Sequence, residues 1–289
     1  MKGGIAGMVE ALRVLRDTDA LSAGGILLTA HDLHEAPWGD GSQLDALIDA
    51  GCIGDAALLP EYCADQLAVI GRGLAVFEVD VLREGEPVHE VLGGIEQPSV
   101  IQAGAELIRR IAQLDQELAV KRDPLGGRES AFVGRAAGGE IYNQSPTKFS
   151  LSGTRRWLPG TDGQEVRANL LQLVNDAVAG RDVRVECRFQ GVRDAFALDA
   201  DGEFAAAFQA TSKAVMGAPL PLGGKPFVDD GNSFSSRGGI PAITHGPAAH
   251  GAHTVKEWVP VDELERVAVV YATTAVAFCS LDPISEPRH

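Results

Sequence analysis

The sequence has no surplus of positive charge, no long apolar run and no paired-cysteine motif, and each lack removes a class of function. Lys and Arg number 25 against 40 Asp and Glu, a formal charge of −15. Phosphate and anionic lipid are drawn to clustered cations, so this balance argues against nucleic-acid and membrane partners. The longest apolar stretch, Val267 to Leu281, is shorter than the ~18 residues of a membrane helix and reads as a buried helix. The opening Met1-Lys2-Gly3-Gly4 has neither the charged nor the apolar region of an export signal. Cys52, Cys63, Cys187 and Cys279 are scattered, which predicts small buried thiols in a reducing cytoplasm and not a disulfide scaffold or a cysteine zinc site. With 45% hydrophobic and 22% charged residues over 289 positions, the composition is that of a folded, soluble chain of about two domains.

Two rhythms alternate along the chain. Met1 to Arg16 carries apolar residues at helical spacing, Gly25 to Ala30 is a short apolar run expected as a buried strand, Ser42 to Ala50 is helical, and Ala56 to Leu59 is a second buried strand. This βα order implies a mostly parallel sheet. From about Leu67 the pattern changes. Ile70 to Leu82 alternates as one long strand, Pro98 to Lys121 is an amphipathic helix, and Ala131–Tyr142 and Lys148–Arg155 are strands. A helix over Gly163–Val178 and a strand over Asp182–Phe196 follow. The order β-α-β-β-α-β is the split plan of a ferredoxin-like domain. The first rhythm returns with helix Glu203–Met216, strand Ile240–Thr244 and a last helix from Val261. The reading is an α/β domain made of residues 1–66 and 198–289, interrupted by an α+β domain over 67–197.

Chemistry-bearing residues gather past strand ends, where open α/β sheets bind ligands. His31-Asp32-Leu33-His34-Glu35 follows the first apolar run, with a helix-capping polar loop as the plainer alternative. Glu61 follows the second run; by itself it is an ordinary solvated carboxylate. Gly246 to Thr254 contains His250 and His253. His253 with Glu35 and Glu61 is a nitrogen-and-oxygen donor set suited to Zn²⁺, with Mn²⁺ or Co²⁺ as substitutes. Within the inserted stretch, His89 reads by default as a surface histidine. Asn143 and Arg156 lie in segments that also suit hairpins, though a guanidinium is well shaped to grip a carboxylate.

Taken in order, Met1-Lys-Gly-Gly4, Glu35, Glu61, His89, Gly138-Gly139, Asn143, Arg156-Trp-Leu-Pro-Gly160, Ala252-His-Thr254 and Glu257 resemble a known family. It is the zinc aminopeptidase-like amidohydrolases that include acetylornithine deacetylase, succinyl-diaminopimelate desuccinylase, aminoacylase and glutamate carboxypeptidase. The likeness extends over the whole chain. It implies a zinc-aminopeptidase-like catalytic domain with an inserted ferredoxin-like lid that also carries the contact of a homodimer. It further implies two zinc ions, metal ligands at Glu35, Glu61 and His253, and a lid histidine at His89 that meets the reaction intermediate. Asn143 and Arg156 fall at positions that hold the substrate, an N-acyl amino acid or small peptide.

Two departures accompany the likeness. The family's Asp-Glu-Glu run is Leu33-His34-Glu35 here, so either His34 stands at the base position with Glu35 on the metal, or Glu35 is the base. The family's Met-Lys-Gly-Gly follows a bridging aspartate, with a His-x-Asp motif further upstream, and no His-x-Asp triplet occurs in this sequence. The expectation is an N-terminally truncated catalytic domain with three of five protein ligands. Two functional readings follow. One is metal-dependent hydrolysis of an amide bond, impaired in this polypeptide. The other is a non-catalytic relative that dimerises through the lid and binds a ligand or partner without turnover.

Overall fold

The computed structural model describes residues 1–32, 40–61, 63–252 and 254–280. In chain order the helices are α1 (Lys2–Thr18), α2 (Ser42–Asp49), α3 (Val100–Leu118), α4 (Gly163–Val178), α5 (Glu203–Met216), α6 (Asp230–Ser236) and α7 (Val261–Cys279). The strands are β1 (Ala57–Leu59), β2 (Leu67–Gly71), β3 (Gly73–Leu82), β4 (Val88–His89), β5 (Arg122–Asp123), β6 (Gly127–Arg128), β7 (Ser130–Gly138), β8 (Gln144–Ser145), β9 (Lys148–Trp157), β10 (Arg184–Arg193), β11 (Phe196–Ala197), β12 (Leu222–Lys225) and β13 (Ala242–Thr244). They form two compact units. One is built from Met1–Asp32, Gly41–Gly71 and the chain from Phe196 onward; the other is Arg72–Ala195.

In the first unit β1 pairs in parallel with β13, and β2 lies between β12, parallel, and β11, antiparallel. Helices α1, α5 and α7 supply the apolar faces that cover these short strands. Ala11, Leu15, Phe204, Phe208, Val267, Val270 and Tyr271 pack with Leu59, Leu67, Ala242 and Ile243 in one core. α5 ends at Gly217 in the left-handed region (φ 85°), a conformation glycine adopts without steric cost.

The second unit is a four-stranded antiparallel sheet in the order β10-β3-β9-β7, the split β-α-β-β-α-β arrangement. Alternation decides its two faces. Phe77, Val79 and Val81 of β3, with Phe149 and Leu151 of β9, point under α3 and α4, where Leu107, Ile111, Leu170 and Val174 close the core. Glu78 and Asp80 point the other way, so the opposite face of the sheet is polar. Ser99 caps α3 through its hydroxyl (3.2 Å to Gln102 N), and Asp162 caps α4 (2.8 Å to Gln164 N).

Two expected elements differ. Gly25–Ala30 is not a buried strand: it has no regular secondary structure, and Ile26, Leu27 and Leu28 are exposed. An apolar run becomes a buried strand only when ladders form on its edges, and among the described residues no strand pairs with it. The stretch Ile70–Leu82 is two strands, because Gly71 ends β2 in one sheet and β3 begins at Gly73 in another. Arg72 falls at the break.

Candidate functional site

Parallel pairing of β1 and β13 sets Leu59 beside Thr244, so the two chains leave the sheet side by side, one into Pro60-Glu61 and the other into His245-Gly246-Pro247. The start of α1 packs against both. A Cβ on Gly4 would lie 2.3 Å from the Pro60 carbonyl oxygen, and one on Gly3 would lie 3.5 Å from the Pro247 ring. A Cβ on Gly246 would come within 2.2 Å of the Glu61 carbonyl oxygen. Gly4 of the opening motif thus has a physical cause, since its backbone meets the Pro60 carbonyl just before Glu61, while Gly3 is packed by the side chains of Leu264, Val259 and Pro247. Glu61 is half-buried, and its charge helps raise the phenol of Tyr271 above its ordinary range, after burial, the larger cause.

The loop after β13 is held at both ends. The Ala248 N–H donates to Glu263 Oε2 at 2.7 Å, and Glu263 in turn pairs with Arg266 on α7. Further on, His250 and Trp258 exchange backbone hydrogen bonds at 2.9 and 3.0 Å and stack their rings 4.5 Å apart, closing the turn between them. His253 belongs to that turn by sequence but lies outside the described residues, as do His34 and Glu35. Among the described residues no group of three His, Cys, Asp or Glu side chains stands close enough to hold a metal ion. Of the three expected ligands, the structure therefore locates Glu61. The loops bracketing it are compatible in chemistry with a carboxylate-and-imidazole set.

A charged cluster that the sequence reading did not single out lies behind the same strand ends. Lys225, 1% exposed, donates from Nζ to Asp229 Oδ1 and sits 3.9 Å over the Phe196 ring. Asp229 also accepts from Gly231 N (2.8 Å) and from Thr244 Oγ1 (2.8 Å), so it caps α6 and pins the end of β13 together. Burial pulls the Lys225 ammonium pKa down, and Asp229 opposes that shift. His31 Nε2 is 2.8 Å from Asp230 Oδ2 at the start of α6. Cys63, two residues after Glu61, is buried with φ 114°, a strained backbone for a residue with a side chain. Burial first, then the Asp229 charge, pushes its thiol up to about 11.

His245 faces the other side of β13, into the core. It is fully buried between Phe208 and Tyr271, with ring centroids 5.1 and 6.0 Å away, and neither ring nitrogen has a hydrogen-bond partner among the described residues. Burial, then the Arg266 charge, brings its pKa down to about 3, with Glu263 opposing.

The second unit brings His89 and Asn143 together. β4 and β8 pair His89 with Gln144, the Glu90 N–H donates to the Asn143 carbonyl at 3.0 Å, and the Asn143 side-chain amide lies 2.9 Å from His89 Nε2. The Val91 N–H donates to His89 Nδ1 at 3.3 Å, and the atom facing Nε2 is the Asn143 amide nitrogen, a donor. Arg156 stands on β9 between Leu74 and Ser130. Its guanidinium is largely desolvated, and its Nη1 is buried with no hydrogen-bond partner among the described residues. An unsatisfied buried donor costs about 1–3 kcal/mol.

An α/β unit with converging strand-end loops, joined in sequence to a ferredoxin-like unit that presents a His–Asn pair and an unsatisfied arginine, defines the class of two-part hydrolases that the motifs resemble. The sequence matches the model of peptidase family M20/M25/M40 over residues 1–277. The chain belongs to this family, whose members are metallopeptidases, hydrolases acting on peptide bonds. Among solved structures it is similar to aminopeptidase PepT from Bacillus cereus, with TM-score 0.75 and 18% identity over 96% of this chain and 70% of that one. It is similar also to human carnosine dipeptidase 1 (TM-score 0.69, 12% identity, 97% and 72% covered). A third is the Bacillus subtilis YXEP protein, a dinuclear metal-binding peptidase (TM-score 0.63, 15% identity, 94% and 70% covered). No curated protein matches the sequence. No helix among the described residues is long and apolar enough to cross a membrane.

Proposed function

We propose that the protein hydrolyses the amide bond of an N-acyl amino acid or small peptide with a divalent ion, zinc or in its place cobalt or manganese, held by Glu35, Glu61 and His253. The observation that carries this is the meeting of the α1 start, the Pro60-Glu61 loop and the Gly246-Pro247 loop at one end of β1 and β13. When bound, such an ion lowers the pKa of water and stabilises an oxyanion. Glu35 or His34 takes the proton from water and returns it to the leaving amine. His89, positioned beside Asn143, donates to the developing oxyanion. Asn143 and Arg156 hold the substrate backbone and its terminal carboxylate. The unit Arg72–Ala195 serves as lid and as the homodimer contact, a role supported by the exposed Val91, Leu92, Ile95 and Tyr142 around His89. The four thiols are unpaired, in keeping with a reducing cytoplasm.

A second reading is supported by the donor set. Three protein ligands suit one ion and fall short of the bridged pair that the resemblance implies. In that reading the 289-residue polypeptide binds ligand without turnover. Zinc titration by calorimetry, with an assay on N-acyl amino acids, separates the two. Hydrolysis with two tight zinc equivalents per chain eliminates the non-catalytic reading; one loose equivalent without hydrolysis eliminates the catalytic reading for this polypeptide. Glu61→Gln weakens zinc binding by ~10-fold or more if Glu61 is a ligand, and unchanged zinc affinity would remove it from the site.

A further inference from the structure

We propose that Arg83 is the positioning residue of the His89–Asn143 pair, its guanidinium setting the spacing of the two chain arms that carry them. The proposal rests on the reading of His89 as donor to the oxyanion, and adds to it the group that keeps the imidazole in place.

The sheet gives these arms little support. Strands β3 and β9 pair regularly as far as Leu82 and Lys148, and the Arg83 N–H extends the ladder by one bond, to the Thr147 carbonyl at 3.0 Å. Beyond that the chains diverge. One runs out through the exposed residues 84–87, and the other reaches Asn143 by way of Pro146. They meet again in the short ladder of β4 and β8, where Val88 faces Ser145 and His89 faces Gln144. Two residue pairs on an isolated ribbon are too few to hold a fixed geometry in water.

Arg83 is buried and fills the divergence between the arms. On one arm its Nε donates to the Pro146 carbonyl at 3.0 Å and its Nη2 to the Ser145 carbonyl at 2.9 Å. On the other, Nη2 donates to the Glu86 carbonyl and Nη1 to the Glu84 carbonyl, both at 2.8 Å. Four main-chain oxygens from two separate segments thus converge on one planar fork. Its rigidity fixes their angles as well as their distances, which a flexible ammonium cannot do. Desolvation of the guanidinium is offset because these donors find oxygens. Ser145 is the ladder partner of Val88, so the staple lies one residue from His89. From the other direction the Gly94 N–H donates to the His89 carbonyl at 3.0 Å, and a Cβ on Gly94 would lie 2.8 Å from that oxygen. Held in this way, the imidazole meets the Asn143 amide 2.9 Å from Nε2. Displacement of a reacting group by about 1 Å can cost about 10²-fold in rate, so a spacer at this distance bears on the chemistry.

The test uses the full 289-residue protein and two readouts. Nuclear Overhauser contacts between the Asn143 side-chain amide protons and the His89 ring report the pair without any need for turnover. They are expected in the unsubstituted protein and lost in Arg83→Met. They are expected to be lost also in Arg83→Lys, which keeps the charge without the fork and carries the test if Arg83→Met does not fold. The second readout is hydrolysis of N-acetyl-L-alanine in the presence of zinc. Arg83→Met is expected to lower kcat by ~10- to 100-fold while KM changes by less than ~3-fold. The double variant Arg83→Met with His89→Ala is expected to be no slower than His89→Ala alone, because a residue acting through His89 then has nothing to position. Arg109→Met, exposed on α3, is expected to change neither readout. Thermal unfolding verifies that each variant folds. Contacts that persist in the Arg83 variants, or losses in kcat that add in the double variant, would overturn the inference. If His89→Ala leaves kcat unchanged, the reading of His89 fails, while loss of the contacts in the Arg83 variants still upholds the placement. Where N-acetyl-L-alanine is not turned over, the contacts alone decide.

Discussion

The two units solve the problem of burial differently. Under α3 and α4 the second unit packs an aliphatic and aromatic layer and turns Glu78, Asp80 and Arg188 out to the open face. The first unit buries Lys225 with Asp229 and a neutral imidazole, His245, between two aromatic rings, while the second buries charge as the Glu129–Arg155 pair. Regular apolar layers give stability that is indifferent to pH. Buried charges and a buried neutral imidazole make it conditional, and those of the first unit cluster behind the strand ends where the candidate chemistry sits. Native-state hydrogen exchange, which reads each unit by itself, is the natural probe of this contrast.

The largest expected effect is from Lys225→Met, which strands Asp229 in the interior and should cost the first unit about 3–5 kcal/mol. Adding Asp229→Asn should recover part of that loss, and equal protection in the single and double variants would show that the pair is not coupled.

Acid should separate the units next. The His245 pKa falls from 6.5 unfolded to about 3 folded. The unfolded chain therefore takes up the proton first, and stability is lost as pH falls from about 6.5 toward 3, by roughly 5 kcal/mol at full extent. His245→Leu should flatten this dependence in the first unit, and an unchanged slope would refute the assignment.

In the second unit Asp80 titrates lower. Burial raises its pKa, but hydrogen bonds from Ser150, Arg188 and Lys148 prevail and bring it to about 2. Its contribution, roughly 1–2 kcal/mol after allowing for the exposed partners, is held above pH 4 and is lost only as pH falls from there toward 2. Asp80→Asn should remove that late loss without affecting the first unit. The smallest change is Asp162→Ala, which removes the α4 cap and should cost about 1 kcal/mol of protection confined to the second unit.

The same contrast explains what could be read from sequence. Helices α4 and α5 match their expected bounds at both ends, because Asp162 and Gly217 are local stop signals beside clear 3.6-residue periodicity. The antiparallel sheet was legible for the same reason: its alternation is carried within each strand. β12 and α6 were missed, since Leu-Gly-Gly-Lys has little pattern and α6 is a two-turn helix. The break at Arg72 was missed because the apolar alternation runs straight through it. For the site, motif order pointed to Glu61, His89, Asn143 and Arg156, and the first is found at a strand end and the next two in contact. Lys225 and Asp229, though only four residues apart, carried no signal, since the Phe196 ring and Thr244 hydroxyl that complete their surroundings meet them only in the fold.

The bare Ile26-Leu27-Leu28 segment has a consequence for anyone concentrating this protein. Unladdered aliphatic backbone invites strand addition by a neighbouring molecule. Self-association measured in solution therefore has two candidate seams, this one and the apolar rim around His89. A charge placed at Leu27 would abolish the first kind of oligomer and leave the second intact.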